Sequence, residues 1–203
     1  MIYKQIIVII TSILLWHISQ FFLSTDVGTN DKIIDRLHDS VLFSTINNYL
    51  HQNLLIVEYN FILTSFLIDI NVLYMAWRFI ITRNIKPAAI LLVGITIRQL
   101  CQYINRLPVP SSVIWFDPSF PTIFVTYHVT NDFFFSGHTY ISLCSGIEIM
   151  KNSSIMTKLY GALFIIYEIL FIISIHAHYF MDIYGAFATY FMLNYFYDYF
   201  NNE

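Results

Sequence analysis

The sequence predicts an all-α fold, an integral membrane bundle of six transmembrane helices. Three observations predict it. Of 203 residues, 57% are hydrophobic and only 11% are charged, whereas a water-soluble domain carries about 25% charged residues. Six apolar stretches are long enough, or nearly so, to cross a hydrocarbon core of about 30 Å. They cover residues 5–23, 54–76, 87–105, 137–150, 159–177 and 181–200. No Gly/Ser linker, repeat or low-complexity tract divides them, so residues 1–203 are expected to form one domain.

The first stretch, QIIVIITSILLWHISQFFL, follows Lys4. It is longer than the apolar region of a signal peptide and no A-x-A-like cleavage site follows it, so it reads as a spanning helix. Residues 24–53 are polar and read as a loop that holds STDVGTNDKIIDRLHDSV. The second and third stretches carry internal charges, discussed below. Residues 106–136 are rich in proline and aromatics and read as an ordered loop with a re-entrant or interfacial piece. A loop that long in so small a chain is usually functional. The fourth stretch is short and borrows residues from 133 onward. The fifth and sixth meet in a tight turn at 177–181. Cys101 and Cys144 both fall in apolar runs. They are expected to be buried thiols rather than a disulfide or metal pair.

Basic residues set the expected orientation. With six spans, Lys4, Arg78, Arg83, Lys86, Lys151 and Lys158 share one side, against Lys32, Arg36 and Arg106 on the other. That asymmetry predicts cytoplasmic termini. The two long loops and the 177–181 turn then face the lumen or exterior. The sequon at Asn152 falls on the cytoplasmic side and should carry no glycan. A net charge of -3 gives no nucleic-acid footprint.

Two histidine motifs meet at the non-cytoplasmic face. In SIHAHYFMDIYG, residues 174–185, His178 and Asp182 are four apart. On a helix that spacing puts both on one face. A carboxylate there fixes the imidazole tautomer, leaves the other ring nitrogen nucleophilic and stabilises positive charge on the ring. His176 falls off that face. In NDFFFSGHTY, residues 131–140, Ser136 and Gly137 offer backbone N–H groups at a helix start, a ready anion site. Gly137 also permits close approach of an oxyanion, and His138 beside it is placed for proton transfer. Each motif taken singly reads equally as an interfacial belt or a helix cap. Together they suit phosphoryl-type transfer through a phosphohistidine.

SGHT followed by HYFMD resembles the phosphatidic acid phosphatase type 2 superfamily. More narrowly, the chain resembles the sphingomyelin synthases and related lipid phosphocholine transferases. Four segments carry the likeness: DRLHDSVL at 35–42, Arg98 through LPVP at 107–110, DFFFSGHT at 132–139 and HYFMD at 178–182. The resemblance implies a six-span protein that needs no metal or cofactor. It implies His178 as the nucleophile, Asp182 as its orienter and His138 as acid and then base. Ser136, Gly137, Arg98, Arg106, Asp132 and Glu58 are the expected substrate-binding residues. The expected partners are membrane lipids, with a glycerophospholipid as donor and ceramide or diacylglycerol as acceptor. Hydrolytic members carry a basic motif KxxxxxxRP. Here the nearest stretch, RQLCQYINRLP from Arg98 to Pro108, lacks the lysine and the spacing. The departure favours transferase over phosphatase and leaves the phosphate charge to Arg98 and Arg106.

Glu58, Asp69, Glu148 and Glu168 also fall inside spans, where an ionisable group is costly. Glu58 and Glu168 are expected near the histidines or against a choline cation. Tyr127, Tyr140, Tyr179 and Trp115 are candidate cage residues for a quaternary ammonium. Three alternatives stay open: a lipid phosphatase, a lipid-binding scaffold, and a metal-dependent hydrolase using His138, His176, His178 and Asp182.

Overall fold

The computed structural model describes residues 2–23, 33–105, 107–127 and 134–201. Among the described residues seven helices form, with no strand. They are α1 (Ile2–Leu23), α2 (Val41–Gln52), α3 (Leu54–Thr82), α4 (Lys86–Ile104), α5 (Gly137–Met150), α6 (Ile155–Ser174) and α7 (Phe180–Asn201). Helices α3, α4 and α6 are long and apolar enough to cross a membrane.

Residues 24–32 lie outside the described residues, and over 41–52 helix α2 corrects the reading of residues 24–53 as a loop. Its composition is polar, but Phe43, Ile46, Asn47 and Leu50 recur at helical spacing and form its inward face. Ser40 caps it, its hydroxyl accepting from the Phe43 amide at 3.4 Å. The Asn47 amide then donates to Ser174 O at 3.0 Å, fixing α2 to the end of α6.

Helix α5 is the hub, packed against α3, α4, α6 and α7. It is the shortest of the six anticipated spans, and residues 139–146 are buried without interruption. Small side chains make this possible. A Cβ on Gly161 of α6 would lie 2.6 Å from Gly146 O of α5. The two backbones therefore touch where only glycine fits. On the opposite flank Tyr140 lies across α4, its hydroxyl donating to Ile90 O at 2.6 Å. A Cβ on Gly94 would come within 2.0 Å of the Tyr140 hydroxyl oxygen.

At the end of the bundle remote from the histidines one ion pair joins α4 to α7 and another closes the end of α5. Lys86 Nζ meets Asp198 at 2.6 Å, and Lys151 Nζ meets Glu148 at 2.6 Å. At the other end the 107–127 loop packs down onto the helices. Ile114 N donates to Ile175 O at 2.9 Å, and Tyr179 Oη donates to Pro108 O at 2.9 Å. Residues 107–127 of the anticipated 106–136 loop roof the site, while 106 and 128–133 lie outside the described residues.

Candidate active site

The start of α5 supplies one wall. Ser136 is its N-cap, accepting from Thr139 N at 3.3 Å and from the Thr139 hydroxyl at 3.1 Å. Ser136 N donates to Asp182 O at 3.1 Å, so this amide joins the two histidine motifs rather than facing an anion. That corrects its expected role. The Gly137 and His138 amides remain in the first turn, where a helix supplies no acceptor of its own.

The turn after α6 supplies the second wall. It reverses through His176, whose φ of 54° is left-handed. The chain then enters α7 with Asp182 in its first turn. His178 Nδ1 faces Asp182 Oδ2 at 3.4 Å, and the same oxygen accepts from Tyr179 N at 2.9 Å. Both side chains are buried. Asp182 thus addresses one imidazole nitrogen of His178, Nδ1.

Arg98 closes the third side. Its Nε donates to Phe135 O at 2.8 Å and its Nη1 to Gln102 at 3.4 Å. The guanidinium also sits over the Trp16 ring, 5.9 Å from the centroid. A Cβ on Gly137 would lie 3.1 Å from Arg98 Cζ. Glycine here lets a guanidinium, rather than only a substrate oxygen, approach the backbone. Arg98, Gly137, His138 and His178 line one small cavity together with Trp115 and Ile68. His138 is half-buried beside it, with the Trp115 ring edge-on at 5.9 Å.

Other anticipated residues lie elsewhere. Glu58 is half-buried in α3 and does not line this cavity. Arg106 and Asp132 lie outside the described residues. His176 turns away, its Nδ1 2.9 Å from Ser112 Oγ. Asp69 accepts from Ile123 N at 2.9 Å and Phe124 N at 3.0 Å, anchoring the roof. Tyr140 and Tyr179 spend their hydroxyls on backbone carbonyls. Trp115 and Tyr127 do come together, 5.3 Å apart, in a ring cluster around Phe61. Glu168 is fully buried with neither carboxyl oxygen hydrogen-bonded, close enough to Tyr127 to act on it electrostatically.

One contributor is missing from the expected set. His38 Nε2 hydrogen-bonds His178 O at 3.0 Å, and its ring stacks on His176 at 4.1 Å. Asp35 accepts from Phe180 N at 2.6 Å. The 35–40 segment therefore straps the turn that carries His178. Burial lowers the proton affinity of both stacked rings, His176 to about 4. The signal was present in DRLHDSVL, but nothing local says what that segment covers.

A family model described as AtPDCT1/2, the phosphatidylcholine:diacylglycerol cholinephosphotransferases, matches residues 39–197. The chain belongs to this family. The match spans α2 through most of α7 and includes every residue of the cavity except Trp16. The AtPDCT1/2 assignment makes the chain a lipid phosphocholine transferase of the EC 2.7.8 kind, with lipid substrates. The match is to neither a sphingomyelin synthase nor a phosphatidic acid phosphatase type 2 model. No curated protein and no solved structure matches the chain.

Proposed function

We propose that the chain moves phosphocholine from phosphatidylcholine to diacylglycerol through a phosphohistidine on His178. One observation carries the reading: Arg98, His138 and His178 converge on a single cavity, with Asp182 behind His178. In the first step His178 Nε2 bonds to phosphorus and the bond from phosphorus to the diacylglycerol oxygen breaks. His138 gives that oxygen its proton. In the second step the free hydroxyl of another diacylglycerol gives its proton to His138 and bonds phosphorus as the P–N bond breaks. Both histidines are restored, and one group serves as acid and then base. Arg98 and the first-turn amides of α5 oppose the charge on the phosphoryl oxygens. The ring of Trp115 on the cavity wall suits a quaternary ammonium. In this reading α1 and α3–α7 all cross the bilayer, with the site on the lumenal or exoplasmic side.

The test supplies membranes with phosphatidylcholine labelled at the headgroup phosphate. Acceptors are ceramide and a diacylglycerol whose acyl chains differ from the donor's. We expect label in a new phosphatidylcholine species, with turnover cut at least about 10³-fold in His178→Ala. Label in sphingomyelin would replace the acceptor, and label only in water-soluble phosphocholine would make the protein a hydrolase. Full turnover in His178→Ala would sink the nucleophile assignment.

A further inference from the structure

We infer that one acyl chain of the diacylglycerol moiety, common to donor and acceptor, lies in an apolar groove between α1, α3 and α4 that opens into the catalytic cavity beside Phe124. The inference rests on the lipid-transfer reading. A cavity of about 290 Å³ is bounded by Ile13 of α1, Val72 of α3 and Leu92 and Ile95 of α4. A second, of about 80 Å³, continues it toward Val8, Met75 and Phe79. Trp16, Phe124 and Ile141 line both the larger cavity and the catalytic one. Phe124 lines all three.

The chemistry of the walls fits a hydrocarbon. The two hydroxyls on the lining are spent within their own helices. Ser12 donates to Val8 O at 2.7 Å and Thr96 to Leu92 O at 2.9 Å. The length fits one long chain. Helix α4 lines the two cavities from Ala88 to Gln99, about 16 Å at 1.5 Å per residue. Lipid tails are as apolar as the groove, so entry gains little from hydrophobic transfer. What the groove supplies is register. A chain held along α4 fixes the glycerol oxygen next to Arg98 and His138, converting a diffusing reactant into a positioned one.

Phe124 is built as a fixed partition. Its amide and that of Ile123 donate to Asp69 of α3. Ile123 O is hydrogen-bonded by His17 Nε2 of α1 at 3.0 Å. Two walls of the groove therefore hold the residue that separates it from the catalytic cavity, which gives the intramembrane Asp69 a purpose outside the chemistry.

The test uses the full chain in phosphatidylglycerol vesicles and a diacylglycerol carrying a diazirine midway along one acyl chain. Photocapture should fall on Val8–Trp16 and Leu91–Gln99 and be lost with excess unlabelled dioleoylglycerol. Leu92→Trp, at the rim, and Ser12→Leu, on the other wall, should each cut that capture at least fivefold. Each should also lower turnover of dioleoylglycerol relative to dioctanoylglycerol by a similar factor. Capture spread along α6 and insensitive to competitor, or unchanged in both variants, would overturn the groove. Capture needs no turnover, so competed capture without transfer would leave the groove and remove the transferase reading. Transfer without capture there would do the reverse.

Discussion

Helices α5 and α1 are both read as spans, yet they are opposites. Helix α5 has 14 residues, of which Thr139, Ser142, Ser145 and Glu148 are buried. Helix α1 has 22, and Ile7, Leu14, Leu15 and Ile18 are all more than half exposed. The family match includes α5 and begins after α1. In a bilayer an apolar helix can stand on the outside, because lipid is its equal. The interior goes to the helix whose small and polar residues let backbones and hydrogen bonds close. The inner helix brings His138 to the proposed site, and α1 contributes Trp16 to the cavity wall.

The largest effect that tests this contrast is Asp182→Asn, where α7 meets the start of α5. Asparagine keeps an oxygen for Tyr179 N but loses the charge that steadies a cationic His178. Turnover should fall about 10²–10³-fold, less than in His178→Ala, with thermal stability close to the parent. Loss of the folded protein would make the Asp182 side chain structural, through its tie to Tyr179 N.

Next comes the Gly146–Gly161 crossing. Gly146→Val should destabilise the bundle by about 1–3 kcal/mol through overpacking, because a first Cβ atom already lies 2.7 Å from Ile165 Cγ1. Thermal unfolding in detergent reads this directly. An unchanged midpoint would mean that α5 and α6 can separate without cost, and α5 would lose its place as hub.

The comparison also explains what the sequence made legible. His138, His178 and Asp182 were visible because a helix start and an i, i+4 pair are local patterns. Arg98 was visible as a cation inside an apolar run, but its contact with Gly137 joins α4 to α5 across the bundle. Ser136 was misread for the same reason, since its amide is claimed by Asp182 O. Helix α2 is masked by its polar composition and shows only in its period. The role of His38 is not legible in its motif, since its partner lies 140 residues away.

A smaller effect comes from the strap over the His178 turn. His38 and His176 stack as neutral rings, and burial lowers the proton affinity of each. Unfolding restores an ordinary value near 6.5, so the unfolded chain binds more protons between there and about 4, the folded value for His176. Stability is therefore full above about pH 6.5 and is lost as pH falls through that window. The unfolding midpoint should drop by several degrees between pH 7 and pH 5, and His38→Gln should flatten the slope. Asp35, Asp39 and Asp182 lie close enough to temper the drop. An equal slope in the variant would place the acid sensitivity elsewhere.

The smallest effect belongs to α1 and is the sharpest test of its outer position. Leu14 is 57% exposed and lines neither groove cavity. Removing its branch exchanges contacts with lipid for other contacts with lipid, so neither a hydrophobic transfer term nor a packed cavity arises. Leu14→Ala should shift stability by less than about 0.5 kcal/mol, with turnover unchanged. A loss near 2–5 kcal/mol, the range for a buried leucine, would show that a protein surface covers this face. Helix α1 would then be interior in the working assembly, and its contrast with α5 would vanish.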